Sequence, residues 1–289
     1  MKGLLDPKMD FVFKNIFGSE KNSKILISFL NATLKPKDLI TSVEIKNTDL
    51  NKGYIEDKFS RLDVKATTSN EEIINIEIQL KNEYNMIKRS LYYWSKLYSE
   101  QLNEGEDYSI LKRTICINIL NFKYLKTRKF HSGYRLKEIY SNEELSDVAE
   151  IHFIEIPKLE EGSDEKDMLV AWIEFLKDPE SEKVRSLEMS IDEIRQAKDE
   201  LIRMSNDDTQ RELYEMRAKT LKDKISALNE AERKGMQKGM QKGIKEGMQK
   251  GEKKKALEIA KSMIDMGLDK KTISKTTGLD LSEIEKLIN

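Results

Sequence analysis

Apolar and polar residues alternate strictly in two neighbouring stretches, Arg61-Leu62-Asp63-Val64-Lys65 and Asn75-Ile76-Glu77-Ile78-Gln79-Leu80. A period of two predicts half-buried β-strands. One face carries Leu62, Val64, Ile76, Ile78 and Leu80, and the other carries Arg61, Asp63, Lys65, Asn75, Glu77 and Gln79. Thr67-Thr68-Ser69-Asn70-Glu71 between them is polar and rich in turn formers, so the simplest structure is an antiparallel hairpin. A two-residue turn at Ser69-Asn70 would set charged side chains against aliphatic ones. A loop of three or five residues centred on Asn70 keeps like faces together, with Asp63 opposite Glu77, Arg61 opposite Gln79 and Lys65 opposite Asn75.

Elsewhere the period is helical, or the run is continuously apolar. Asp6-Pro7 reads as the start of a helix whose apolar stripe is Phe11, Phe13, Ile16 and Phe17, leaving Asp10 and Lys14 one turn apart on a shared face. A second helix is predicted over 22–33, a short strand over 43–47 and a loop over 49–57. After the hairpin, Tyr84, Ile87, Leu91, Trp94, Leu97, Tyr98 and Leu102 form one helical stripe closed by Gly105. Residues 113–121 read as a strand buried on both faces, and 151–156 as another alternating strand. This mixture predicts an α/β sandwich around one sheet. Helices follow over 168–176, 191–204 and 210–232, then 256–266, 269–276 and 281–288, the last with a Ser282 to Glu285 capping box. The pair around Gly278 has the form of a helix-turn-helix, and equally of an ordinary terminal cap.

Glycine recurs at 235, 239, 243, 247 and 251 within a Gly-Met-Gln-Lys repeat. Every fourth residue stays near one helical face, drifting by about 40° per step. Five glycines cost an exposed helix on the order of 5 kcal/mol relative to alanine. Two structures fit: a flexible basic linker, or a helix whose glycine groove admits a second helix and so makes a homo-oligomer. The expected organisation is a core over 1–160, a helical extension packing on it over 161–232, the repeat over 233–255 and a small terminal element over 256–289.

Over the whole chain, 51 basic and 52 acidic side chains nearly cancel, so net charge names no partner. Its distribution is more informative: 143–167 is acidic, and 234–255 holds eight Lys against two Glu. The single cysteine, Cys116, sits in an apolar run and reads as a core thiol, which excludes a disulfide framework and a Cys-based metal site. His131 and His152 lack ligand spacing and read as structural. No apolar run approaches the ~20 residues of a membrane span, and no signal segment opens the chain. A cytoplasmic location is the expectation.

Opposed carboxylates on a strand pair repel by up to about 1 kcal/mol. Either Arg61 and Lys65 neutralise them on a solvated face, or Asp63 and Glu77 share a divalent cation. In the second case the carbonyl of Ile78 is a third oxygen donor, and Gln79 can hydrogen-bond a water or a phosphate oxygen. Asp10 and Lys14 can close the site if the first helix crosses the hairpin. Lys65, Lys88 and Arg89 are the cations nearest in sequence for a DNA backbone.

Several further motifs join these residues: Asp6-Pro7 through Asp10-Phe11-Val12-Phe13-Lys14 with Phe17-Gly18, Arg61-Leu62-Asp63-Val64, Glu77-Ile78-Gln79, Lys88-Arg89-Ser90 with Tyr93-Trp94-Ser95, the glycine repeat, and Met266-Gly267-Leu268 to Gly278-Leu279. Together they resemble the recombination-promoting nuclease (Rpn), transposase-related branch of the PD-(D/E)XK nuclease superfamily. The resemblance implies a restriction-endonuclease-like core (helix, three-strand meander, helix, strand) with a mostly helical C-terminal extension. It also implies a Mg²⁺-dependent (or Mn²⁺- or Ca²⁺-binding) endonuclease on double-stranded DNA, associated with DNA mobility, recombination or defence. Asp63 carries over as the motif Asp, Glu77 as the second acid, and Gln79 as the residue in the usual Lys position. Leu62 stands where the superfamily name has proline. A Gln brings no positive charge and no base, so modest turnover is expected. The competing reading is a catalytically silent DNA-binding or oligomerising protein of the same fold. Strand transfer fits less well, since there is one acidic cluster and no integrase-type triad.

Overall fold

The computed structural model describes residues 3–46, 63–164 and 166–288. The loop expected over 49–57 and the positions Arg61 and Leu62 lie outside the described residues. The chain divides into two compact units, Met1–Lys219 and Thr220–Asn289.

A six-stranded sheet organises the first unit. β1 (Val43–Lys46), β2 (Val64–Thr68) and β3 (Ile73–Gln79) form an antiparallel meander. β4 (Thr114–Leu120) lies parallel to β3, and β6 (Glu144–Glu155) lies parallel to β4. β5 (His131–Lys137) closes the edge antiparallel to β6, giving the order β1-β2-β3-β4-β6-β5. Parallel neighbours need a long crossover, and α3 (Met86–Ser99) lies in the one from β3 to β4.

The hairpin has the register that its facing predicts: Val64 pairs with Ile76, Lys65 with Asn75 and Ala66 with Ile74. Its loop is Ser69-Asn70-Glu71. Glu71 N–H donates to the Thr68 carbonyl at 2.9 Å, and Thr68 N–H donates to Glu72 at 3.0 Å. Glu71 sits at φ 64°, the left-handed residue that completes a three-residue hairpin loop.

Strand pairing sorts the sheet into two faces. Val64, Ala66, Ile74, Ile76, Ile115, Ile117 and Ile119 share one and are fully buried. On that side, α1 (Asp10–Phe17) ends at Gly18, where an added Cβ would lie 3.1 Å from Val64 Cγ2, so glycine lets the helix end abut β2. Phe13 and Phe17 of α1, Phe29 of α2 (Ser23–Leu34) and Trp172 and Phe175 of α4 (Met168–Lys177) form one chain of aromatic contacts. The other face carries Asn75, Glu77, Cys116 and Asn118, and α3 covers it, with Tyr93 and Leu97 against Cys116. Ser90 donates to Asn118 at 2.7 Å and docks the helix.

Several elements differ from expectation. The first helix starts at Asp10, because Asp6 instead forms a turn: its carboxylate accepts Lys8 N–H and its carbonyl accepts Met9 N–H. The helix predicted over 84–102 is shorter, since Tyr84 at φ 61° lies outside it. β6 begins at Glu144 rather than at residue 151, and β5, a strand that the hydrophobic pattern does not announce, pairs along it from Glu144 to Ile154. α5 (Glu182–Ser190) was also not predicted; it buries only Val184 and Leu187. α6 (Asp192–Asn206) completes the helices of this unit before α7 (Asp208–Asp265) begins.

The second unit contains most of α7, in which the glycine repeat is helical, followed by α8 (Lys270–Thr277) and α9 (Leu281–Ile288). Residues 256–266 are the end of α7 rather than a separate helix. Gly267 at φ 81° stops it, with Leu268 N–H on the Met263 carbonyl and Gly267 N–H on the Ile264 carbonyl. Asp269 caps α8, and Gly278 at φ 73° ends it. Ala260, Ile273, Leu279 and Ile284 form a small core. α9 starts at Leu281 as predicted, so the expected Ser282 to Glu285 box is displaced by two residues: Asp280 precedes the helix, and its N–H donates to Glu283 at 3.3 Å.

Candidate functional site

The β2–β3 register, continued one residue beyond Val64, sets Asp63 across from Glu77. Alternation also fixes the backbone. Ile73 N–H and the Gln79 carbonyl bond toward the β4 side, to Arg113 and Asn121, so the peptide groups of Ile78 face β2. Ile78 N–H donates to Asp63 Oδ2 at 2.7 Å, and the Ile78 carbonyl points the same way. Two carboxylates and a backbone oxygen thus collect at the open end of the hairpin.

Glu77 is only 2 % exposed. Burial first, and then repulsion from Asp63, raise its carboxyl well above the usual range. Burial likewise raises Asp63; the Ile78 N–H opposes this, and Asp10 adds to it. One oxygen of the pair, Glu77 Oε1, is buried without a hydrogen-bond partner among the described residues. A buried orphan acceptor beside a second carboxylate calls for a cation or a donor. An all-oxygen set of this kind suits a hard divalent ion such as Mg²⁺. Among the described residues no three His, Cys, Asp or Glu side chains converge as a metal cluster.

The first helix brings Asp10 and Lys14 within electrostatic reach of Asp63, the one raising and the other lowering its carboxyl. Asp10 also pairs with Arg217 at 2.9 Å, and Arg217 lies over the Phe11 ring. Of the three cations proposed for a DNA backbone, only Lys88 is exposed to solvent. Lys65 pairs with Glu100 at 3.4 Å. Arg89 turns inward, its Nη2 3.3 Å from Glu77 Oε2 and its Nη1 3.5 Å from Gln79 Oε1. Sequence spacing put Arg89 on the helix behind the acids. It could not say that the helix crosses β3 at this height.

A second polar cluster has no signal in the sequence. His131 Nε2 lies 2.8 Å from His152 Nδ1, and His152 Nε2 lies 2.6 Å from Glu150 Oε1. Arg113 bonds Glu150 at 2.5 Å, and Arg135 bonds the same oxygen. Burial pushes Glu150 up, but His152, Arg113 and Arg135 together hold it at about 2. Burial and the neighbouring His152 lower His131 to about 4. The two histidines, 21 positions apart, meet only because β5 and β6 pair.

Comparison with known proteins covers most of the chain. Residues 7–231 match the PD-(D/E)XK nuclease family transposase. Residues 253–288 match the C-terminal helix-turn-helix domain of the Rpn/YhgA-like nuclease family. No curated protein and no solved structure gives a match.

Proposed function

This chain belongs to the PD-(D/E)XK nuclease family of transposases, and we propose that it is a divalent-metal-dependent endonuclease acting on double-stranded DNA. The observation that carries the reading is the cross-strand pair Asp63 and Glu77, buried together with Glu77 Oε1 unpartnered. Asp63, Glu77 and the Ile78 carbonyl would hold Mg²⁺, or Mn²⁺ or Ca²⁺ in its place. Such an ion, when bound, offsets charge on the phosphate and acidifies water. Gln79 can hydrogen-bond a water or a phosphate oxygen and cannot act as a general base, so the usual lysine position supplies none and turnover is modest. Asp10 and Lys14 border the pair from α1, and Lys65 and Lys88 flank it toward the substrate.

The reading is tested by plasmid nicking. Cleavage should require Mg²⁺ and disappear in a folded Asp63→Ala variant; equal cleavage by that variant overturns it. DNA binding without cleavage by either protein would favour the silent DNA-binding alternative.

The C-terminal helix-turn-helix supports DNA as the partner. For the glycine helix we propose self-association into a homo-oligomer, which would present two sites to one duplex. Its support is that the repeat is helical, with Met236, Met240, Ile244 and Met248 exposed beside glycines that touch nothing within 4 Å. No described helix is long and apolar enough to cross a membrane, and a cytoplasmic role in DNA mobility, recombination or defence is part of the proposal.

A further inference from the structure

The departure at Gln79 leaves Glu77 without a cation on its own strand β3, and α3 supplies one. Arg89 contacts Glu77 at 3.3 Å, Gln79 at 3.5 Å and Glu83 at 3.8 Å, with its guanidinium carbon 5.3 Å from the centre of the Tyr93 ring one turn further on. Its side chain is 23 % exposed, and its Nε is buried without a partner. Among the described residues, Lys65 pairs with Glu100, and Lys14 lies within electrostatic reach of Asp63.

We propose that Arg89 is the positioning residue that carries, from the helix, the positive charge that the motif lysine would carry from β3. The inference rests on the nuclease reading above. A guanidinium keeps its proton and cannot act as a base, so its contribution is charge and orientation. Nη2 holds Glu77 through Oε2, and Oε1 has no hydrogen-bond partner among the described residues. Nη1 donates to the side-chain oxygen Oε1 of Gln79, which turns the Gln79 amide donors away from Arg89, where a lysine ammonium on β3 would otherwise offer protons to a phosphate oxygen. The Tyr93 ring limits where the guanidinium can move.

The test uses the full chain as wild type, Arg89→Ala, Arg89→Met, Arg89→Lys and the double variant Arg89→Ala with Gln79→Lys. Circular dichroism checks folding; the Met variant keeps the stem that packs on Tyr93 should the Ala variant fail to fold. Two quantities are read: Mn²⁺ affinity by calorimetry, and kcat and KM for Mg²⁺-dependent nicking. Arg89→Ala and Arg89→Met should bind Mn²⁺ at least as tightly as wild type, because a cation competing for Glu77 is gone. They should lose about 10- to 100-fold in kcat with little change in KM, as expected for charge stabilisation lost at a pre-formed site. Arg89→Lys should keep part of the rate, and Gln79→Lys should restore most of it to Arg89→Ala. Nicking by the charge-free variants at the wild-type rate, no recovery with Gln79→Lys, or Mn²⁺ binding weakened more than about tenfold, the loss expected if Arg89 were instead an outer support of a metal ligand, would overturn the assignment. Wild type that never nicks would overturn the nuclease reading instead, and the Mn²⁺ titration then still judges Arg89 by the same criterion.

Discussion

At the scale of single residues, buried charge is handled in two ways in this molecule. Glu150 is surrounded by cations and stays ionised, whereas Asp63 and Glu77 face each other and are pushed toward neutrality. The first arrangement makes stability depend on pH. The folded chain holds His131 at about 4 against an ordinary 6.5, so the unfolded chain takes up that proton first as pH falls. Glu150, lowered to about 2, acts in the same direction at lower pH: its contribution is complete above 4.5 and is lost as pH falls through its folded value. Asp63 and Glu77, raised above the ordinary carboxylate range, take up protons in the folded chain first and oppose that loss over the same range, so the histidine is read by difference: between pH 6.5 and pH 4, His131→Gln should lose less melting temperature, or gain more, than wild type. An unchanged slope would show that the histidine pair does not govern it. Gly133 belongs to the same cluster: an added Cβ would lie 3.0 Å from the His152 ring. Gly133→Ala should lower stability by about 1–3 kcal/mol in a denaturant titration, the usual cost of overpacking a filled site.

At the scale of elements, the hairpin was legible because facing and turn chemistry agree; a one-residue slip would have buried Asp63 and Glu77 in the aliphatic face. β4 was legible as an unbroken apolar run, and each of its residues is buried. β5 was not, since an edge strand with a central glycine and mostly exposed side chains carries neither period. The Asp63–Glu77 pairing could be read from spacing, but the inward turn of Arg89 and the His131–His152 contact depend on crossovers that leave no local pattern. The glycine helix illustrates the same limit, because local propensity opposes it. With nothing within 4 Å of Gly239 or Gly243, alanine at both positions should stabilise an isolated helix by about 1 kcal/mol each. If two copies pack through that groove, the same substitutions should weaken the assembly. Sedimentation of Gly239→Ala with Gly243→Ala separates the cases: a shift toward monomer supports pairing, and a wild type that is already monomeric contradicts it.

At the scale of the whole molecule, one unit holds the sheet with the acidic pair, and the terminal helices of the other match a helix-turn-helix domain. Ile273 is fully buried in the small terminal core, and Ile273→Ala should cost that unit about 2–5 kcal/mol. DNA affinity should fall while Mn²⁺ binding at the sheet stays unchanged, a split that calorimetry and a DNA titration at fixed salt would read. The central claim concerns the sheet. Its most direct test is Mg²⁺-dependent nicking of supercoiled plasmid by wild type and by folded Asp63→Ala side by side. The account predicts that the variant loses about 100-fold or more, the scale set by removing a charge-stabilising group from an active centre. Nicking at the same rate by both proteins would contradict it.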